Sequence, residues 1–181
     1  MALIVTITGS PSQGSRTAQL TDQVGATLAA QGFEVQAINV RDLPPDDLLA
    51  GRADAAALRG PLALLERARG VVVSTPVYKA AYSGVLKTFL DLLPQFGFAG
   101  KVVLPLVTGG TPAHVLAIDY ALRPVLASLG AQHIVGGLFV HDKLILRQPD
   151  GGVTLEPEIG ARLDGVITDF VTSVRYREGA R

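Results

Sequence analysis

Short runs of apolar residues, many of them β-branched, alternate along the chain with longer segments whose apolar positions recur every three or four residues. The short runs have no polar face, which is typical of strands buried on both sides of a parallel sheet. The longer segments are typical of helices that cover such a sheet. The pattern predicts five strands: Leu3–Thr8, Phe33–Val40, Gly70–Thr75, Lys101–Thr108 and Ala131–Val140.

The amphipathic segments predict five helices, and local signals mark some of their ends. Ser15 is placed to cap the first helix and Gly32 to end it. Thr111 and Pro112 are typical of the cap and the first residue of a helix. The predicted helices are Ser15–Gln31, Ala55–Ala68, Ser83–Leu93, Thr111–Leu129 and Pro157–Val174.

Strands that alternate with helices in this way indicate an α/β fold, a doubly wound parallel sheet with helices on both faces. The remaining stretches are a predicted loop at Leu43–Asp47 and a predicted turn at Pro149–Gly152 between two short extended pieces. Ligands of such sheets bind beyond the carboxyl ends of the strands. The candidate loops are therefore Gly9–Arg16, Pro76–Ser83 and Gly109–His114.

Composition excludes several classes of function. The 181 residues include no cysteine and only three scattered histidines, so no metal site is predicted. Equal numbers of basic and acidic residues, 16 each, disfavour nucleic acid and anionic membranes as partners. The N-terminus has no signal-peptide or membrane-span pattern, and we expect one cytoplasmic domain over residues 1–181. The charged fraction of 18% is low, which predicts apolar surface buried in a homo-oligomer.

The first loop has the features of a phosphate-binding site. It is rich in hydroxyls and backbone N–H groups, contains no acid, and leads into a helix. Proteins usually place Asp or Glu in the first turn of a helix, because that end of the helix dipole is positive. Here the first turn holds Arg16, and an anion between Arg16 and the helix would remove the repulsion. The predicted phosphate contacts are Ser10, Ser15, Arg16 and Thr17; an ordinary capped helix is the alternative.

Two nucleotide motifs do not fit this loop. The spacing of Gly9 and Gly14 matches a P-loop, but Ser15 and Arg16 stand where Lys and Ser or Thr are required. No strand ends in an acid that would hold Mg²⁺, so nucleotide hydrolysis is not expected. The dinucleotide fingerprint is also missing, because Pro11 occupies its second glycine position. A ligand with one phosphate fits better.

The other two loops favour a flat ring beside that phosphate. Pro76–Ser83 brings two tyrosines and a lysine to the same edge, and Thr108–Thr111 allows close approach of backbone N–H groups. A flat heterocycle that carries one phosphate describes FMN, although Tyr78 and Tyr82 would also suit a simple cover for the sheet edge. The predicted contacts are Pro76, Val77, Tyr78, Lys79, Thr108, Gly109, Gly110, Thr111 and His114. His114 is either a proton donor near the flavin or a residue that packs on its loop.

The fourth predicted helix should be irregular. Val115, Ile118, Leu122, Val125 and Leu129 follow core-facing spacing. Tyr120 then points away from the core, and Pro124 cannot donate to the Tyr120 carbonyl. We expect a local irregularity at Tyr120; a Pro-kinked surface helix with an incidental tyrosine is the alternative.

Three segments carry a family resemblance: GSPSQGSRT (Gly9–Thr17), TPVYKAAYSGVLKTFLDLLP (Thr75–Pro94) and GKVVLPLVTGGTPAHVLAIDYALRPVL (Gly100–Leu126). They resemble the NAD(P)H-dependent FMN reductases of the flavodoxin-like superfamily, in particular the alkanesulfonate-system type. Ser12 departs from the family, because many members carry an arginine there. The resemblance therefore leaves Arg16 as the only guanidinium expected at the phosphate.

The resemblance implies a flavodoxin-like sheet in the order 2-1-3-4-5. It implies hydride transfer from NADPH or NADH to FMN, and transfer of the reduced flavin to a flavin-dependent monooxygenase. Since the flavin supplies the chemistry, no catalytic side chain is expected. Tyr120 is implied to form a π-bulge at a tetramer interface and to tune flavin exchange. Two alternatives stay open: a quinone or azo reductase with tightly bound FMN, and a flavodoxin-type electron carrier, which the zero net charge disfavours.

Overall fold

The apolar runs form the centre of the molecule. The computed structural model describes residues 1–149 and 151–179, and the predicted turn at Pro149–Gly152 includes residue 150, which lies outside them. The strands are β1 (Leu3–Thr8), β2 (Glu34–Asn39), β3 (Gly70–Tyr78), β4 (Ala81–Tyr82), β5 (Val102–Gly109), β6 (His133–Ile134), β7 (Leu138–His141), β8 (Ile145–Arg147) and β9 (Val153–Leu155).

The α-helices are α1 (Arg16–Ala30), α2 (Pro45–Leu49), α3 (Ala56–Arg67), α4 (Gly84–Leu90), α5 (Arg123–Ser128) and α6 (Pro157–Gly179). They follow four of the five predicted segments and add α2, whereas only the part of the predicted helix over 111–129 that forms α5 is α-helical. The prediction of a loop at Leu43–Asp47 was wrong, because Pro45 opens α2 and two aspartates occupy its first turn, where the helix dipole favours acids. No helix in the described part of the chain has the length and apolarity needed to cross a membrane.

The sheet has the expected order. β2, β1, β3 and β5 are parallel neighbours, and β6 and β7 share the next position beside β5. This confirms the order 2-1-3-4-5, with the fifth strand in two pieces. β4 pairs with β3 in the antiparallel direction, and β8 and β9 form a separate hairpin.

Pro105 of β5 divides the neighbouring strand, predicted over 131–140, into β6 and β7. β5 pairs with β6 through Val103 and with β7 from Leu106 onward, so two residues of β5 face three residues, 135–137. The Val103 carbonyl accepts from Val135, and Pro105, two residues on, faces the same side without an N–H to donate. A Cβ on Gly137 would lie 2.8 Å from the Pro105 ring. The prediction of one continuous strand over 131–140 was wrong for this reason, and the result is a bulge.

Side chains alternate between two apolar clusters, one on each face of the sheet. Val71, Val73 and Val103 pack toward α3, α4 and α5. Ile4, Val72 and Leu104 pack toward α1 and α6. This alternation confirms that helices cover both faces. Gly70 lets α6 pack closely, since a Cβ there would lie 2.6 Å from the Phe170 ring.

The predicted helix over 111–129 is broken into three parts. A 3₁₀ turn covers Pro112–His114, a π turn covers Ile118–Leu122, and α5 follows. The Arg123 N–H donates to the Ile118 carbonyl, five residues back, which confirms the predicted irregularity at Tyr120.

Exposure confirms one orientation in this segment and corrects another. Tyr120 is 79% exposed, as its outward direction predicted. Val115 is 48% exposed, and the prediction that it faces the core was wrong. The reason is the preceding 3₁₀ turn, whose three-residue period shifts the apolar face before Val115 is reached.

Candidate functional site

The first loop meets the carboxyl ends of β3 and β5, and together they line a cavity of about 220 Å³. The lining residues 76–78 and 109, predicted to lie in loops, are the last residues of these two strands. Nine of the residues predicted to bind a ligand line it: Ser10, Ser15, Arg16, Thr17, Pro76, Val77, Tyr78, Thr108 and Gly109. Ser12, Gln13, Gly14, Asp142 and Arg147 line it as well and had not been predicted.

The first loop is held against α4 by Gly9. Its N–H donates to the Ser74 carbonyl at 2.8 Å, and its carbonyl accepts from the Ser83 hydroxyl. A Cβ on Gly9 would lie 2.5 Å from the Leu86 Cβ, so a larger residue would push the loop off α4. The glycine therefore fixes where the loop leaves the sheet.

The helix start confirms the pattern that suggested an anion site. Ser15 caps α1, and its hydroxyl accepts from the Ala18 N–H at 3.4 Å. The first turn of α1 contains no acid. The N-terminal N–H groups and the positive end of the helix dipole thus face a loop whose side chains are mostly hydroxyls.

Buried hydroxyls connect the loops beneath the cavity. The hydroxyls of Thr17 and Thr108 lie 2.7 Å apart, and both residues are buried. Deeper in, the Thr21 hydroxyl donates to Ser74, which donates to the Ile7 carbonyl. Thr17 therefore ties α1 to the end of β5. This network fixes the relative positions of two cavity walls before any ligand binds.

Two arginines reach the cavity. Arg16 Nε donates to the Ile145 carbonyl at 3.3 Å, and Arg147 donates to the Gly14 carbonyl. The expectation that Arg16 is the only guanidinium here was wrong, because β8 folds back over the start of α1. With Asp142 as the acidic lining residue, the cavity side chains carry a net charge of about +1, which suits an anion.

Within the predicted loop Pro76–Ser83, only a two-residue hairpin turn separates β3 from β4, and its backbone is unusual. Tyr78 pairs with Ala81, and the residues between them, Lys79 and Ala80, have φ values of +50° and +65°. This is the left-handed region that favours glycine or asparagine. The turn leaves Tyr78 48% exposed at the rim of the cavity, whereas Lys79 does not line it.

The third loop divides between two cavities. Gly109 lines the first, whereas Gly110, Thr111 and His114 do not. The Thr111 hydroxyl instead accepts from the Ala113 N–H at 3.3 Å. His114 lines a neighbouring cavity of about 340 Å³ together with Tyr120, and its buried Nδ1 has no partner among the described residues. The structure therefore separates these predicted contacts from the first loop.

The missed residues explain why local motifs were insufficient. Ser12, Gln13 and Gly14 belong to the loop already singled out, and its density of polar residues was a usable signal. Asp142 and Arg147 lie more than 120 residues further along the chain, in a segment without a recognisable motif. Only the path of the chain after β7 brings them to the cavity.

The strand order and the position of the cavity define a class of protein. An open parallel sheet in the order 2-1-3-4-5 that binds its ligand at the carboxyl edge is a flavodoxin-like α/β fold. The cavity, with its hydroxyls, helix N-terminus and guanidinium groups, fits the phosphate of a mononucleotide. Residues 2–144 match the family model for NADPH-dependent FMN reductase, and the chain belongs to that family.

Individual relatives agree with this family. The chain is 43% identical over 178 residues to an Escherichia coli (strain K12) protein named FMN reductase (NADPH), which covers 97% of this chain and 91% of the relative. It is 48% identical over 143 residues to a Pseudomonas putida (strain KT2440) protein of the same name, with coverage of 79% and 73%. The crystal structure of an apo NADH:FMN oxidoreductase, EMOB, has a TM-score of 0.87 at 42% identity, with coverage of 96% and 90%. The chain is thus an oxidoreductase that uses FMN and NAD(P)H.

Proposed function

We propose that this chain treats FMN as an exchangeable substrate, and that it releases reduced flavin to a flavin-dependent monooxygenase of alkanesulfonate-type sulfur assimilation. The observation that carries the proposal is the contrast between the two ends of the site. The phosphate end rests on buried hydroxyls such as Thr17 and Thr108, whereas Tyr78 at the ring end is about half exposed. A fixed phosphate anchor with an open ring end suits a ligand that enters and leaves. In this proposal the reaction takes place in the cytoplasm.

The phosphate in this proposal lies at the start of α1. Ser10, Ser15 and Arg16 supply side-chain donors, and the loop supplies backbone N–H groups. Thr17 contributes its backbone N–H and holds the loop in place through Thr108. These groups bind and orient the ligand and need no change in protonation.

The ring in this proposal lies between the second and third loops. Val77 and Tyr78 line the cavity beside Thr108 and Gly109. In this proposal the ring lies against these residues and the backbone that continues to residue 111, which leaves one face open to the nicotinamide. When FMN is bound, it supplies the hydride acceptor. The chain supplies position alone, so no nucleophile or general base is assigned, and His114 is retained only as a residue beside the ring.

An oligomer forms the second part of the proposal. Val115, Leu116 and Tyr120 are large apolar side chains exposed close together on the segment that precedes α5. Exposed apolar groups of this kind favour burial against another copy of the chain. We assign this surface to a homotetramer interface at which Tyr120 tunes flavin exchange.

The decisive experiment measures oxidation of NADPH and of NADH by protein freed of flavin, with and without added FMN. Steady turnover that requires added FMN supports the proposal. Yellow protein that keeps its flavin through gel filtration, and that turns over quinone or azo acceptors without added FMN, would instead identify the tightly bound type. Failure to oxidise either nucleotide in the presence of FMN would contradict reductase activity altogether.

A further inference from the structure

The β8–β9 hairpin packs on the loop that precedes α1. It lies outside the main sheet, and it begins at residue 145, directly after the segment that matches the family model ends at 144. Three side-chain contacts join it to the start of α1: Arg16 Nε to the Ile145 carbonyl, Arg147 to the Gly14 carbonyl, and Gln19 Nε2 to the Gly151 carbonyl at 2.9 Å. The hairpin is therefore part of the cavity wall.

Arg147 is the cation that the hairpin brings to the cavity. A guanidinium has five N–H donors, and within the described residues Arg147 uses one on Gly14. The Gly14 backbone lies in the left-handed region at φ +61°, so its carbonyl belongs to the tight turn just before the Ser15 cap. Arg147 thus contacts the loop at the residue before the Ser15 cap, within the lining of the same cavity as Arg16.

The charge balance favours a dianion between the two arginines. Arg16 and Arg147 contribute two positive charges to the lining, and Asp142 contributes one negative charge. A phosphate monoester carries a charge of about −1.5 to −2 at neutral pH. Arg16 alone would be offset by Asp142, so a second guanidinium is needed for a net attraction from the side chains.

We propose that Arg147 is the second guanidinium of the phosphate cradle, so that the hairpin takes part in recognising the flavin phosphate. The inference rests on the proposed position of the phosphate at the start of α1. The remaining N–H donors of Arg147 then bind phosphate oxygens while its contact with Gly14 keeps the side chain in place. The other role open to Arg147 is to anchor the hairpin and leave the phosphate to Arg16 and the loop.

The test measures the dissociation constants of FMN and riboflavin by fluorescence on flavin-free protein. The variants are Arg147→Gln, Arg147→Lys, Gln19→Ala and Arg162→Gln. Gln19→Ala removes a hairpin contact without changing charge. Arg162→Gln removes an exposed arginine of α6, outside the cavity lining. Thermal unfolding of each variant verifies that it is folded.

Loss of a charge-assisted hydrogen bond predicts that Arg147→Gln binds FMN roughly 10- to 100-fold more weakly. Riboflavin binding should stay unchanged, Arg147→Lys should restore part of the FMN affinity, and the other two variants should match the wild type. Equal loss of FMN affinity in Arg147→Gln and Gln19→Ala would show that Arg147 is only an anchor. An unchanged preference for FMN over riboflavin in Arg147→Gln would overturn the inference about Arg147 but would not affect the proposed phosphate site at the first loop and Arg16. If the wild type does not prefer FMN over riboflavin, the proposed phosphate site at the start of α1 is itself wrong.

Discussion

Arg16 is a cation at the positive end of a helix, held there by one carbonyl contact at 3.3 Å. If a phosphate lies between Arg16 and the N-terminal N–H groups, Arg16→Ala should weaken FMN binding by about 1.5–3 kcal/mol. Riboflavin lacks the phosphate and should bind equally to both proteins. Titration of both ligands into wild type and variant measures this difference. Equal losses for FMN and riboflavin would place the phosphate elsewhere.

Lys101, which lines a different cavity from Arg16, gives a prediction about pH dependence. It is 8% exposed, and its Nζ donates to the Glu66 carbonyl in the last turn of α3 at 3.3 Å. Burial, with a smaller contribution from Arg69, lowers the pKa of Lys101 below its ordinary value of 10.5. The unfolded chain therefore binds more protons than the folded one between the lowered pKa and 10.5. In that window this group makes the free energy of unfolding rise with pH.

Lys101→Met should abolish this contribution while it keeps the length of the side chain. The free energy of unfolding of the variant should exceed that of the wild type by most near neutral pH. This difference should shrink as the pH approaches the ordinary lysine pKa. Urea unfolding at the two ends of this range measures the change. Lys143→Met, at an exposed lysine, is the matched control. A difference between Lys101→Met and wild type that is independent of pH would contradict the lowered pKa.

At the residue scale, sequence reasoning succeeded where one loop carries its own signal. The Ser15 cap and the acid-free first turn are local features, and the structure has both. It failed where two distant segments meet. The partner of Thr17 is Thr108, and the partner of the Gly14 carbonyl is Arg147. Neither pairing can be read from the spacing of nearby residues.

The turn between β3 and β4 gives a prediction at the scale of an element. Ala80 has a φ of +65°, which is costly for any residue with a Cβ. Ala80→Gly should therefore raise the free energy of unfolding by about 0.5–1 kcal/mol, after allowance for the greater freedom of glycine in the unfolded chain. Denaturant unfolding monitored by circular dichroism measures the change.

Ala63→Gly is the matched control for this change. Ala63 is exposed in the interior of α3, where the same substitution should destabilise by roughly 1 kcal/mol. Opposite signs for the two variants would confirm that the backbone at Ala80 is strained. A loss of stability in both would contradict it.

The predicted strands and helices were accurate where local residues specify them and wrong where a distant part of the chain changes them. α1 and β1 were predicted to within a residue at most ends, because caps and an uninterrupted apolar run specify them locally. The strand over 131–140 was predicted to be continuous, because nothing in its own residues indicates that Pro105 of β5 lies beside it. The helix over 111–129 was predicted to be irregular at Tyr120, from Pro124 and from the family resemblance, and a π turn lies there. The 3₁₀ turn that precedes it was not predicted.

The π turn gives a prediction about assembly of the whole molecule. Its extra residue presents Tyr120 at 79% exposure beside the cavity that His114 lines. Deletion of Tyr120 should restore regular helical hydrogen bonding, weaken the proposed tetramer, and leave FMN bound after reduction, because an isologous interface would place this residue near a second subunit. Sedimentation velocity and FMN retention in gel filtration measure both effects.

Two further variants distinguish the effect of the inserted residue from that of the aromatic side chain of Tyr120. Tyr120→Ala keeps the extra residue of the π turn and removes its aromatic side chain. Tyr176→Ala is the control and removes a tyrosine of α6 that is also highly exposed. The Tyr176 variant should behave as wild type. A Tyr120 deletion that stays tetrameric and still releases its flavin would show that the π turn has no part in assembly or exchange.

The close packing of α6 on Gly70 also has a consequence for synthesis on the ribosome. β1 and β3 are made early, but Ile4 and Val72 on one face of the sheet are covered partly by Phe170 and Val174, which follow all the described strands in the chain. Chains emerge N-terminus first. The part of that face that α6 covers stays exposed until α6 has left the exit tunnel, and we expect the unfinished chain to be bound by chaperones that recognise apolar surface.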